Sequence, residues 1–175
     1  MNFTVELPQI PSKEYNIAEY GAVNGGTISN TNAIQKAIDT AYENGGAIKI
    51  DGDRPNISDN CYFINNTAEE EGGAIHSYGY GTHIYDNCYF INNTATNNAG
   101  AIFLERENQH IENASFTGNT AVLGGAIFIQ ANDITIDLAF FDNNNATSGS
   151  AIYKTSGANS FKISNTLFER NQAHS

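Results

Sequence analysis

The chain has 175 residues, which fits one domain, and it is acidic, with 19 Asp and Glu against 8 Lys and Arg. A net charge of −11 disfavours nucleic acid and anionic membrane surfaces as partners. No stretch is apolar for long enough to span a bilayer as a helix, so membrane insertion is not expected. The first eight residues also lack the basic and apolar regions of a signal peptide.

Residues 1–45 are predicted to form an N-terminal cap. Apolar residues recur at the helical period within residues 31–43, at Ile34, Ala37, Ile38 and Ala41. Asn30 suits the N-cap of this amphipathic helix, and the Asn-Gly-Gly of residues 44–46 suits its end. One helix ahead of short strands is typical of a solenoid cap, which covers an apolar end and an unpaired strand edge.

Residues 46–175 form a repeat with a period of 25–27 residues. Each copy contains Phe-x-x-Asn, with the Phe at Phe63, Phe90, Phe116, Phe141 and Phe168 and the Asn at Asn66, Asn93, Asn119, Asn144 and Asn171. A phrase similar to Gly-Gly-Ala-Ile follows about ten residues after a Phe, at residues 72–75, 99–102, 124–127 and 149–152. A fixed period of this length predicts a solenoid of about five turns.

Three short strand signals and three bends in each copy predict an all-β, single-stranded parallel β-helix. Like residues should stack between turns, so the Phe and Ile positions are predicted to fill the core and the Asn positions to form a hydrogen-bonded ladder. Cys61 and Cys88 occupy one stacked position that later copies fill with Ala114, Ala139 and Thr166. Parallel Cβ directions are poor geometry for a disulfide, so we expect free, buried thiols.

The two linked phrases resemble the repeats of polymorphic outer-membrane proteins and related adhesin-like surface proteins, over about residues 46–175. This resemblance implies a right-handed β-helix of the pectate-lyase-like kind, displayed at a cell surface and used in adhesion. Six Asn-x-Ser/Thr sequons fit an extracellular protein, although an Asn- and Thr-rich repeat also produces them by chance. An extracellular or cell-surface location is therefore expected.

The segment of about residues 13–50 resembles the N-terminal cap of polygalacturonase-type glycoside hydrolases, through Tyr20-Gly21-Ala22-Val23 and the Asn-Thr-Asn-Ala-Ile-Gln-Lys-Ala-Ile-Asp of residues 30–39. In that family the cap is structural, and the family's catalytic motifs do not occur in this chain, so no catalytic residue carries over. A hydrolase-type cap joined in register to adhesin-type repeats suggests either a relative of both groups or an engineered chimera, and a trimmed or designed fragment is expected. An uncapped last turn would also allow end-to-end self-association.

An acidic row is the candidate metal site. Counting four residues back from each Phe gives Asp59, Asp86, Glu112 and Asp137. Stacked carboxylates repel one another unless they lie in solvated turns or bridge a hard cation such as Ca²⁺. The solvated row is the favoured interpretation, and Ca²⁺ is the functional alternative.

Two further rows are candidates for a functional role. Tyr62, Tyr89 and Phe140 precede the repeat Phe and should point outward, where they either contact sugar rings or a protein partner or are partly covered by neighbours. His83 and His110 should stack externally, but no Cys, Asp or third His completes a zinc set at ligand spacing, so no function is expected for them.

The sequence therefore favours a non-enzymatic adhesin-like module that contacts a glycan or a cell-surface protein. No Gly-x-Ser-x-Gly and no plausible Ser/His/Asp set is present, and no asymmetry in the acidic row separates an acid from a base. A polysaccharide-active enzyme of the same fold is the alternative, and a structural scaffold without a ligand is a third.

Overall fold

A computed structural model describes residues 48–157 and 159–174 and the backbone of residues 15–16. The expected capping helix at residues 31–43 and the boundary at residue 45 lie outside the described residues. In the described part every strand pairs in parallel with the equivalent strand one turn away, and there is no helix, so none that could cross a membrane. The predicted all-β parallel solenoid of about five turns is confirmed.

Four sheets run along the solenoid. Sheet 1 consists of Tyr15–Asn16, Ile48–Ile50, Ile75–Ser77, Ile102–Leu104, Ile127–Ile129 and Ile152–Lys154. Sheet 2 consists of Asn56–Ile57, His83–Ile84, Gln109–Glu112, Ile134–Asp137 and Phe161–Ser164. Sheet 3 consists of Tyr62–Ile64, Cys88–Ile91, Ala114–Thr117, Phe140–Asp142 and Leu167–Glu169. Sheet 4 consists of Thr67–Ala68, Thr94–Ala95, Thr120–Leu123, Asn145–Ser148 and Gln172–Ala173.

Sheet 4 corrects the expectation of three strands per turn. Its strands follow directly after the repeat Asn, and in the first two copies each contains only a Thr and an Ala. Two residues are too few to show the alternation that marks a strand in sequence. The inward alanines of this sheet, Ala68, Ala95 and Ala121, form a small apolar cluster of their own.

Stacks of identical residues fill the interior. The rings of Phe63, Phe90, Phe116, Phe141 and Phe168 lie in one column, with neighbouring centroids 4.7–4.9 Å apart. The isoleucines of sheet 1 and those of sheet 2 form the predicted columns beside it. Because each turn adds one strand spacing of about 4.8 Å, every inward residue covers the apolar face of its counterpart one turn below.

The cysteines lie in the same interior. Cys61 and Cys88 are buried and free, as expected, and Cys88 pairs in register with Ala114. Both thiols donate to backbone carbonyls within their own turn, Cys61 to Ser58 and Cys88 to Tyr85. The position therefore needs a small side chain and does not need a disulfide.

The asparagine column holds each turn to the next. The side-chain amide of Asn119 donates to Oδ1 of Asn144 at 2.9 Å and to the backbone oxygen of Phe90 at 2.9 Å. Its own Oδ1 accepts from the backbone and side-chain nitrogens of Asn93 at 2.9 Å. The same pattern recurs from Asn66 to Asn171, so these buried amides satisfy backbone groups that the bend leaves without a ladder partner.

The second glycine of the Gly-Gly-Ala-Ile phrase marks the closest approach of neighbouring turns. A Cβ on Gly125 would overlap the backbone oxygen of Ser150 and lie 2.7 Å from that of Asn145. Gly73 and Gly100 face their own next turns in the same way. The phrase therefore contains this Gly because there is no room for a side chain between the turns.

Replacing Asn119 by Ala should destabilise the protein by about 3 kcal/mol, because the backbone nitrogen of Asn93 and the oxygen of Phe90 would be buried without partners. Urea unfolding measures the change. Asn97→Ala is the control, since Asn97 is exposed, and it should change stability by less than about 0.5 kcal/mol. Equal effects of the two substitutions would contradict the assigned role of the ladder.

Gly125→Ala should cost more than about 2 kcal/mol, because two rigid backbones would have to separate to admit the methyl group. Gly157→Ala is the matched control, as a Cβ there meets nothing within 4 Å. Thermal melting of the two variants checks this. A melting temperature for Gly125→Ala equal to that of the control would show that the turns are not packed at this distance.

Candidate functional site

The outward face of sheet 3 carries the predicted aromatic row. Tyr62, Tyr89 and Phe140 are in register in one column, with Ser115 between the last two. Tyr62 is 48% exposed, and Tyr89 and Phe140 are half-buried. The structure thus brings Tyr62 and Tyr89 into contact and separates Phe140 from them by one small residue.

A second outward column adds apolar surface that the sequence analysis missed. Ile64 and Ile91 lie two residues after Tyr62 and Tyr89, on the same face and in register with each other. Ile64 is 42% exposed. The aromatic patch is defined here as Tyr62, Ile64, Tyr89 and Ile91. The signal was available in the sequence, since an Ile follows the repeat Phe in the first two copies and only there.

Ring stacking decides what the aromatic patch presents to a partner. The rings of Tyr62 and Tyr89 stack with their centroids 4.7 Å apart and their planes within 10° of parallel. Because the stacked faces cover each other, the outer surface shows ring edges and hydroxyl groups. Each ring keeps one face that this stack does not cover, the face of Tyr89 toward Ser115 and the face of Tyr62 opposite to Tyr89.

Polar residues bound the aromatic patch on the side of the later turns. Ser115 and Thr117 replace Tyr and Ile in the third copy, and the column of Ile91 continues into Asp142. Arg170 donates to both carboxylate oxygens of Asp142, at 2.8 and 2.5 Å. These hydrogen bonds lower the pKa of the Asp142 carboxyl, so this end of the sheet carries a fixed ion pair.

The four acidic candidates do not share one environment. Asp59 and Asp86 sit in the bend between sheets 2 and 3 with positive φ of 68° and 56°. Glu112 and Asp137 are instead strand residues that pair with each other in sheet 2. Hydrogen bonds from Ser164 and Asn165 lower the pKa of Asp137. The Ca²⁺ site therefore stays a prediction, and its residues fall into two pairs.

The histidine pair has a third potential ligand, which corrects the expectation that no set is completed. His83 pairs with His110 in sheet 2, and Glu112 lies two residues further along on the same face. One ligand atom from each of these three residues lies within 4.8 Å of the other two. The shallow groove beside them is lined by His110, Asn108, Asp133, Thr135 and Ser160, among others.

His76 is a second histidine in an unusual position. It belongs to the outward row of sheet 1, His76, Phe103, Phe128 and Tyr153, whose orientation the sequence did not decide. Ala99, from the chain between sheets 4 and 1, and Leu123, the last residue of a sheet 4 strand, pack against Phe103 and Phe128 in a cluster outside the main core.

Burial dominates the chemistry of His76. Its Nε2 lies 4.0 Å from a carboxylate oxygen of Glu71 and 3.7 Å from one of Glu105, and has no hydrogen-bond partner among the described residues. Burial, with a smaller contribution from the positive charge of Lys49, lowers the pKa of His76 to about 4. His76 is therefore neutral at pH 7.

Three segments of the chain match the model of one protein family. The match is to the Chlamydia polymorphic membrane protein (Chlamydia_PMP) repeat, at residues 60–78, 87–105 and 113–130. Each matched segment begins just before a strand of sheet 3 and ends one residue after the sheet 1 strand that follows, so it spans the Phe, the Asn and the Gly-Gly-Ala-Ile positions. No curated protein and no solved structure matches the chain.

Replacing His76 by Phe, the residue of the next two turns, should remove a pH dependence of stability. The unfolded chain takes up a proton at this histidine near pH 6.5 and the folded chain only near pH 4, so acidification through this window favours unfolding. Between pH 7 and 4.5 the wild type should lose about 1–3 kcal/mol more than His76→Phe in urea unfolding.

His174→Ala is the control for this substitution, because His174 is exposed and its loss should leave the pH dependence as in the wild type. If wild type and His76→Phe lose stability in parallel as the pH falls, then His76 is protonated in the folded state and its assigned pKa is wrong.

Proposed function

Since the chain carries Chlamydia polymorphic membrane protein repeats on a parallel β-helix, we propose that it is a non-enzymatic, adhesin-type module displayed at a cell surface. The solenoid is the display element, because its core columns and asparagine ladder depend only on inward positions. The outward positions vary between turns without disturbing the stack, and they are where a partner binds.

The observation that carries the proposal is the aromatic patch on sheet 3. Its Tyr and Ile side chains lie on a regular sheet, exposed in part, with no charged residue between them in the first two copies. Exposed apolar surface of this kind marks interaction sites, and tyrosine is enriched among the residues that dominate binding energy.

The chemistry of the aromatic patch favours a protein partner over a glycan. Sugar rings bind aromatic side chains by their faces, whereas Tyr62 and Tyr89 each use one face on the other. Ring edges, hydroxyl groups and the two isoleucines together resemble the apolar centre of a protein interface. The slot over Ser115, between Tyr89 and Phe140, is about two strand spacings wide, or ~10 Å, and accepts one inserted side chain.

The alternative of a polysaccharide-active enzyme draws no support from the carboxyl groups of sheets 2 and 3. A general acid for glycoside cleavage needs a raised pKa. Hydrogen bonds instead lower the pKa of Asp137, through Ser164, and of Asp142, through Arg170.

Converting the aromatic patch of the second copy into the residues of the third tests the proposal. The double variant Tyr89→Ser, Ile91→Thr keeps strand-compatible side chains and should fold like the wild type. The purified proteins are applied to an array of extracellular protein domains and to a glycan array. We expect saturable binding to a protein domain that falls at least tenfold in the variant, since a central Tyr contributes about 2 kcal/mol or more.

Lys162→Ala on sheet 2 is the control and should bind as the wild type does. Binding that the double variant retains would contradict the assignment of the aromatic patch. If the wild type binds only glycans and the variant loses that binding, the adhesin function would stand, but its partner would be a glycan and not a protein. Release of shorter sugars from the glycan array would overturn the non-enzymatic proposal.

A further inference from the structure

Strand register brings two histidines together on the outside of sheet 2. His83 and His110 are paired, and their outward column continues to Asn56 in the preceding turn and to Thr135 and Lys162 in the next two. Their rings are 4.7 Å apart and nearly perpendicular. The column contains no other imidazole, so this pair occurs where two consecutive copies both have His.

A shortened bend adds a carboxylate to the pair. After Ile84 the chain runs through Tyr85, Asp86 and Asn87 to Cys88, whereas after Ile111 only Glu112 and Asn113 precede the equivalent Ala114. Two residues of the first bend have positive φ, Asp86 and Asn87, but only Asn113 does in the second. The missing residue leaves Glu112 in the strand, where its side chain projects on the face of His110.

The three side chains have the separations of metal ligands. Nε2 of His110 lies 3.5 Å from Oε2 of Glu112. One ligand atom of His83 lies within 4.8 Å of both. Two ligands on one tetrahedral Zn²⁺, each about 2.0–2.1 Å from the metal, are about 3.4 Å apart. The His110 and Glu112 atoms already have about this distance.

His83 has an unsatisfied nitrogen at this place. Its Nε2 is screened from solvent and has no hydrogen-bond partner among the described residues, and the ring of Tyr85 lies 4.4 Å from its own. Burial, and then the neighbouring His110, lower the pKa of His83, while Glu112 and Asp86 act in the opposite direction.

We propose that His83, His110 and Glu112 bind one divalent transition-metal ion of the Zn²⁺ class, with the remaining coordination position open to solvent. Two imidazoles and a carboxylate are ligands of this class, whereas Ca²⁺ prefers six to eight oxygens. The ion would join two consecutive turns from the outside of sheet 2, on a different face from the aromatic patch. The proposal does not depend on the proposed adhesin function.

The test is calorimetric titration of the metal-free protein with ZnCl₂, together with NMR of the histidine rings. The chain has only four histidines, so each can be followed. We expect one equivalent of Zn²⁺ to bind with saturation at micromolar concentration and to shift the ring signals of His83 and His110 but not those of His76 and His174.

The variants use residues that neighbouring turns already place in this column. His83→Asn copies Asn56, His110→Thr copies Thr135, and Glu112→Gln keeps the shape of the side chain. Each should weaken Zn²⁺ binding by more than the 10–100-fold that loss of an outer-shell partner costs. The control Cys61→Ala, Cys88→Ala removes the two thiols, which are also potential Zn²⁺ ligands, and should bind Zn²⁺ as tightly as the wild type.

Two results would overturn the proposal. One is the lack of saturable Zn²⁺ binding below millimolar concentration. The other is equal affinity in the wild type and in all three ligand variants. Binding of Ca²⁺ as tight as that of Zn²⁺ and lost in Glu112→Gln would also count against it, because an oxygen-preferring ion would point to the acidic residues instead.

Discussion

The fold depends on one constraint, which is that consecutive turns stack in register at the spacing of hydrogen-bonded parallel strands. The asparagine ladder enforces it, because each amide binds the next Asn and also the backbone of the preceding turn. The second Gly of the phrases at residues 72–75, 99–102 and 124–127 permits it by leaving the two backbones in direct contact. With this spacing fixed, each Phe covers the ring of its counterpart, and the interior closes without contributions from distant parts of the chain.

The same constraint organises the surface. A residue on the outside of one turn has its register partner about 4.8 Å away in the next, so outward features form columns. When two consecutive turns have the same outward residue, the two side chains lie next to each other, as do the stacked Tyr62 and Tyr89 or the adjacent His83 and His110. A single different residue, such as Ser115 or Thr135, ends the feature. The aromatic patch and the histidine cluster are thus local departures on a shared scaffold, and each lies on its own sheet.

Much of this architecture could be predicted from the sequence, because successive copies have the same residue at the interior positions that stack on one another. The Phe, Ile and Asn columns and the free cysteines follow from residues at equal positions in successive copies. Sheet 4 could not be predicted, since its shortest strands have two residues and no alternation. The burial of Phe103 and Phe128 depends on Ala99 and Leu123, which come from a different part of the turn.

The histidine cluster was missed for a more specific reason. Counting back from the repeat Phe placed Glu112 with Asp86, which assumes bends of equal length. The bend before Ala114 is one residue shorter than the bend before Cys88, so counting forward from the His gives the correct neighbour. In a repeat whose bends vary in length, a residue has to be aligned by counting from the nearest stacked position. Glu112 is therefore aligned by counting forward from the His and not by counting back from the Phe.

The most direct test of in-register stacking is the distance between two equivalent outward positions several turns apart. Tyr62 and Leu167 occupy the same column of sheet 3, four turns apart, and both are exposed. Spin labels would be placed at these sites after Cys61 and Cys88 are replaced by Ala, as at Ala114. Pulsed electron resonance should then give one narrow distance distribution centred near four strand spacings, or ~19 Å. A broad distribution, or a distance beyond about 30 Å, would contradict the stacked solenoid on which the aromatic patch and the histidine cluster both depend.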